Sequence, residues 1–114
     1  MTAEVVVASN FEQVLTILHE YKEKLIVIDY FAPWCAPCER FAPKFASIAK
    51  DFADSALFVK VDVDEVPEAA EAARVSTLPT FVLFYNGHRQ ADCEGALEEK
   101  LRSIIKDTIT KISS

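Results

Sequence analysis

Apolar residues in this chain recur with two different periods, and the alternation between them sets out a series of helices and strands. Phe11, Val14, Leu15 and Leu18 repeat at helical spacing, and Ser9 followed three residues later by Glu12 has the form of a capping box. Together they predict a first helix from about residue 10 to residue 22. The unbroken run LIVIDYF at 25–31 is too short and too β-branched for a buried helix, so it predicts a central strand covered on both faces. From Cys35 the pattern turns helical again, with Phe41, Phe45, Ile48, Ala49 and Phe52 forming an apolar stripe and Pro43 expected to bend it. Residues 56–61 predict a second strand and the Ala- and Glu-rich stretch 66–74 a shorter helix. After the break at Thr77-Leu78-Pro79, residues 80–85 predict a third strand. Asn86-Gly87 is a strong hairpin signal, which implies an antiparallel partner over about 88–94. Leu97, Leu101, Ile104, Ile105 and Ile112 mark a closing amphipathic helix. Helices alternating with strands, then a hairpin and a helix, predict an α/β fold with a mixed sheet between helices.

A length of 114 residues fits one domain over residues 1–114. The net charge of −6 argues against a sequence-independent hold on nucleic acid, which needs clustered Lys and Arg. The N-terminal stretch holds the short run Val5-Val6-Val7 and already carries Glu4, unlike the basic start and long apolar centre of a secretory signal. No apolar run approaches the roughly 20 residues of a membrane helix. A cytoplasmic protein without membrane or nucleic-acid partners is therefore expected. Three cysteines cannot all pair within one chain, and in a reducing compartment a close pair is more often catalytic or metal-binding than structural.

That pair lies in Trp34-Cys35-Ala36-Pro37-Cys38, where the central strand ends and a helix begins. Unpaired backbone N–H groups and the positive end of the helix dipole favour an anion there, which makes Cys35 the candidate nucleophile. A spacing of three on a helix puts Cys38 on the same face with Cα atoms about 5 to 6 Å apart, a separation that a disulfide tolerates. Pro37 falls in the first turn, where its missing N–H costs little and its fixed φ stiffens the turn. No histidine stands between the cysteines to stabilise the thiolate further, which favours a reductant over an oxidant. Asp29 interrupts an otherwise apolar strand, where a carboxylate is costly unless paired or protonated. It reads either as an edge carboxylate reaching solvent or, more sharply, as a general acid and base with a raised pKa, suited to taking the proton of Cys38. Lys60, which interrupts the next strand, is its candidate partner.

Competing assignments are weaker. Cys35, Cys38, His88 and Cys93 offer four soft metal ligands, but His88 and Cys93 lack the close spacing of a second ligand pair. His88 and His19 read as solvated, and Cys93 as a strand residue that would be reactive only if exposed. A non-catalytic binding module of the same fold would not need both cysteines and Asp29. A disulfide oxidase or isomerase of secreted proteins would be expected to carry a signal segment and a histidine between the cysteines.

These residues resemble the thioredoxin family over nearly the whole chain. The segment Ile28-Asp29-Tyr30-Phe31-Ala32-Pro33-Trp34-Cys35-Ala36-Pro37-Cys38 is similar to its strand-to-helix active site. Phe58-Val59-Lys60-Val61-Asp62-Val63-Asp64, Leu78-Pro79-Thr80-Phe81, Tyr85-Asn86-Gly87 and Glu94-Gly95-Ala96 follow in the family's order and spacing. The family is itself a reference case for the acidity and redox poise of the C-x-x-C motif. The resemblance implies a central mixed sheet of about five strands flanked by four helices. It implies that Cys35 attacks, Cys38 resolves, Asp29 is the buried carboxylate beneath them and Lys60 its neighbour. Pro79 would be a cis-proline beside the disulfide, Thr77 and Leu78 would offer backbone to an extended substrate, and Trp34, Gly95 and Ala96 would complete a shallow docking groove. Pro43 would kink the active-site helix. The implied activity is reduction of disulfide-containing proteins by a monomer with no bound cofactor, recharged from NADPH through a thioredoxin reductase. Two departures stand out: Ala36 replaces the usual Gly, which bears on redox poise, and Phe31 stands where many bacterial members carry a second tryptophan.

Overall fold

A computed structural model describes residues 5–114, so the reading of Glu4 lies outside the described residues. The periodic segments form β1 (Val5–Ala8), α1 (Phe11–Glu20), β2 (Leu25–Phe31), α2 (Ala36–Asp51), β3 (Ala56–Asp62), α3 (Pro67–Ala72), β4 (Thr80–Tyr85), β5 (His88–Glu94) and α4 (Glu98–Ile112). The strands make one sheet in the order β1-β3-β2-β4-β5. β1 and β2 run parallel to β3, whereas β4 pairs antiparallel with both β2 and β5. This is the mixed five-stranded sheet with four helices that the resemblance implies.

The apolar pattern did not predict β1. Its four residues are too few to show a period, Val7 is exposed, and the strand is held by pairing with β3 some fifty residues later in the chain. The cap of α1 also falls one residue later than expected. Asn10 is the N-cap, and its Oδ1 accepts from the Gln13 N–H at 2.8 Å. The Ser9 N–H donates to Gln13 Oε1 at 2.7 Å, so Gln13 takes the reciprocal role expected of Glu12. At the hairpin, Asn86 and Gly87 have φ of 54° and 78°, the left-handed pair that a tight two-residue connection requires.

β2 is buried along its first six residues because both faces of the sheet are covered. Leu25 and Val27 point to the side of α2 and α4, against Phe45, Ile48, Phe58, Phe81, Leu101 and Ile105. Ile26, Ile28 and Tyr30 point to the other side, with Val14, Val59, Val61 and Val82. Phe45 sits edge-on to Phe58 and stacked on Phe81, each at 5.6 Å between ring centroids. Such aromatic pairs add about 1 kcal/mol each beyond the area they bury. They fix α2 on the sheet, and with it the residues at its N-terminus. α2 runs unbroken for 16 residues through Pro43, which removes the N–H that would otherwise meet the Glu39 carbonyl. Among the described residues, no helix is long and apolar enough to cross a membrane.

Candidate active site

The buried central strand β2 ends at Phe31, and four residues separate it from the start of α2 at Ala36. Cys35 is the N-cap of α2, with extended backbone (φ −85°, ψ 105°), and its Sγ accepts from the Cys38 N–H at 3.2 Å. The sulfur thus occupies the place that an Asn or Ser oxygen takes at an ordinary helix start. The Cys35 N–H donates to the Ala32 carbonyl at 3.1 Å and the Cys35 carbonyl accepts from the Glu39 N–H at 3.1 Å, which fixes the turn on both sides. Pro37 sits in the first turn, as expected. Cys35 and Cys38 are joined as a disulfide with Cα atoms 5.3 Å apart. Both are 5% exposed, and they pack with Ala32, Phe31, Val63 and Leu78.

Asp29, two residues before the end of β2, is 3% exposed and on the same face of the strand as Leu25 and Val27. Its Oδ1 has no hydrogen-bond partner, and burial pushes its pKa up from 3.8 to about 7, with the Lys60 charge pulling in the opposite direction. Lys60 is directly beside Asp29 in the β2–β3 register. The expected partnership is nevertheless not a contact ion pair: Lys60 Nζ sits over the Phe31 ring at 4.4 Å, and no ion pair among the described residues joins the two. Lys60 therefore acts on Asp29 through its field while its own charge rests on an aromatic face. A cavity of about 210 Å³, lined by Phe31, Ala32, Pro33, Cys38, Glu39, Ala42 and Lys60, opens between this lysine and Cys38.

The remaining expected residues lie on two stretches of chain, and Leu78 of the second packs with the cysteines. Trp34 is 71% exposed, and its Nε1 donates to Asp64 Oδ2 at 2.7 Å. Asp64 is held in turn by its own N–H donating to Asp62 Oδ1 at 2.9 Å. Sequence reasoning assigned no role to Asp64, because nothing in local spacing links it to a residue thirty positions earlier. On the second stretch the Leu78–Pro79 peptide is cis, as the resemblance implies. The Gly95 N–H donates to the Pro79 carbonyl at 2.8 Å, joining the 77–79 turn to the 94–96 turn. Gly95 has φ 95°, a conformation open to glycine at little cost, and Ala96 beyond it is exposed. The Thr77 carbonyl accepts the Thr80 hydroxyl at 2.6 Å, while the N–H and carbonyl of Leu78 have no partner among the described residues.

Cys93 is the free cysteine and is buried in the core beneath α2 and α4. Burial pushes its thiol pKa up, against the opposing charge of Lys100, and Asp92 adds to the rise. Among the described residues, no three His, Cys, Asp or Glu side chains come together as a metal site. His88 and Cys93 do not join Cys35 and Cys38. What the corner can do is cycle between two thiols and one disulfide.

Comparison with known proteins agrees with that chemistry. The family model described as Thioredoxin matches residues 2–107. A thioredoxin of Geodia cydonium is 44% identical over 99 residues, covering 86% of this chain and 90% of its own length. Thioredoxin-1 of Schizosaccharomyces pombe is 39% identical over 106 residues, covering 93% and 97%. The structure of Fasciola hepatica thioredoxin superposes with a TM-score of 0.87 at 39% identity, over 90% of this chain and 98% of that one. The chain belongs to the thioredoxin family, and its Cys35–Cys38 pair makes it a thiol-disulfide reductase.

Proposed function

We propose that Cys35 is the attacking sulfur and Cys38 the resolving one in the reduction of protein disulfides. The observation that carries this assignment is the Cys38 N–H aimed at Cys35 Sγ at the start of α2, a donor that stabilises negative charge on that sulfur in the reduced chain. The Cys35 thiolate attacks one sulfur of the substrate disulfide. A Cys35–substrate bond forms, the substrate S–S bond breaks, and the other substrate sulfur leaves and takes a proton. Asp29, near neutrality in pKa, accepts the proton of Cys38. The Cys38 thiolate then attacks Cys35 Sγ, closing the intramolecular disulfide and releasing the second substrate sulfur. Two electrons have passed from the chain to the substrate, and Lys60 keeps Asp29 from being protonated too tightly to serve.

In this reading an extended substrate segment lies between Trp34 and the turns at Thr77-Leu78-Pro79 and Gly95-Ala96, pairing with the open backbone of Leu78. The protein acts as one domain over residues 1–114, as a cytoplasmic monomer with no bound cofactor. A thioredoxin reductase using NADPH recharges it, so that it carries electrons in cell redox homeostasis. The test is acceleration of protein-disulfide reduction by dithiothreitol. Cys35→Ser is expected to abolish it, and Cys38→Ser to stall as a mixed disulfide on Cys35. Activity retained in Cys35→Ser refutes the assignment.

A further inference from the structure

We propose that Glu94 is a specificity-determining residue of the docking groove, selecting substrates that carry Lys or Arg beside the disulfide under attack. The proposal rests on the groove assigned above and narrows the substrate class it takes.

Glu94 closes β5 and immediately precedes Gly95-Ala96, one wall of the groove. Its Oε1 accepts the Thr77 hydroxyl at 2.8 Å, bridging the two turns that meet the substrate. That bond orients the carboxylate, because Thr77 is itself held: the Thr80 hydroxyl donates to the Thr77 carbonyl at 2.6 Å, and Thr80 is buried. The second carboxylate oxygen, Oε2, has no hydrogen-bond or ion-pair partner among the described residues. A negative charge is thus fixed at the groove edge, one oxygen used for aim and the other free.

Glu94 forms no direct ion pair among the described residues, although Arg74 shares its cleft. Two arginines line the small cleft behind it, with Ser76, Thr80 and Asp92. Arg89 is committed, donating to the Ala73 carbonyl at 2.6 Å and to Asp92 Oδ2 at 2.9 Å. Arg74 makes no ion pair with Glu94. Across the groove, Asp64 carries a second carboxylate against Trp34. A segment lying between these walls meets negative charge on both sides, and a net charge of −6 on the whole chain reinforces the field. A cation on the substrate next to its cysteine fits that field; an acidic residue there opposes it.

The experiment compares kcat/KM for two disulfide peptides that differ only in flanking Lys or Glu, at low ionic strength. The unsubstituted protein is expected to favour the Lys peptide by about threefold or more, the effect of one exposed charge pair, and to lose the preference as salt rises. Glu94→Gln keeps an oxygen for Thr77 and removes the charge, so the preference should fall towards one, through KM rather than kcat. Thr77→Ala keeps the charge and removes the aim, and should retain a smaller preference. Equal kcat/KM for the two peptides in the unsubstituted protein, or a preference that survives Glu94→Gln, overturns the proposal. Failure to reduce either peptide overturns the groove assignment instead.

Discussion

Helices α1 and α2 open with the same contact. At α1 the Asn10 Oδ1 accepts from the Gln13 N–H at 2.8 Å, and at α2 the Cys35 Sγ accepts from the Cys38 N–H at 3.2 Å. In each case an N-cap side chain satisfies a backbone donor that the helix leaves unpaired. At α1 the acceptor is an amide oxygen on an exposed surface, and the contact serves stability alone. At α2 the acceptor is a sulfur packed under Leu78 and Val63, with a second sulfur one turn on. The site is thus an ordinary helix start made chemical by the atom that caps it. Cys93 supplies the converse: a thiol more deeply buried than Cys35 but set in a strand, with no helix-start donor and a pKa pushed up by desolvation.

The largest effect that separates capping from chemistry is expected for Cys35→Ser. Serine is a strong N-cap, so the folded chain should keep the stability of the reduced protein within about 1 kcal/mol. Turnover should fall on the order of a thousandfold or more, because the nucleophile is gone. Urea unfolding and the dithiothreitol assay on the same sample check both halves. A Cys35→Ser protein that unfolds readily would show that the sulfur is needed for the fold and undo the comparison.

Next in size is the pH dependence set by Asp29. Its pKa is raised in the folded chain to about 7, so between about pH 4 and pH 7 the native state holds a proton that the unfolded state has lost. Stability should therefore fall as pH rises through that window and level off above it, by about 4 kcal/mol for a shift of this size. In Asp29→Ala that slope should vanish, and the variant should be the more stable protein at pH 8. Activity should move the other way: the resolving step quickens as Asp29 ionises near pH 7, and Asp29→Asn, still folded, should be slower and lose that inflection. An unchanged pH–rate profile removes Asp29 from the mechanism.

Most of this was legible in the sequence for a physical reason. The strand LIVIDYF and the C-x-x-C at its end depend on local patterning, and Asp29 stands out because a carboxylate conflicts with its neighbours. What pattern could not supply were contacts between distant residues. β1 exists because β3 pairs with it, and Asp64 matters because the fold brings it to Trp34. Lys60 was read as a partner for Asp29 from adjacency. The register is as expected, but the Phe31 ring competes for the ammonium, and a short sequence gives no sign of that.

Cys93 tests the second half of the comparison with a smaller effect. Cys93→Ser places a hydroxyl among Phe81, Leu101 and Ile105 and should cost about 1–3 kcal/mol in urea unfolding. Turnover at a temperature where the variant stays folded should remain within about twofold. A large loss of activity would mean that this thiol takes part in exchange despite its burial.

The smallest effect belongs to the cap that has no chemistry. Asn10→Ala removes the acceptor for the Gln13 N–H and should cost about 1 kcal/mol. Asn10→Ser restores an acceptor at the same place and should recover most of that loss, whereas Ser9→Ala should cost little, because Ser9 contributes its backbone N–H and not its hydroxyl. α1 packs on the sheet face opposite α2, so none of the three should change the rate of disulfide reduction. If Ser9→Ala proves the more damaging, the cap lies one residue earlier, as the Ser9–Glu12 spacing alone suggested.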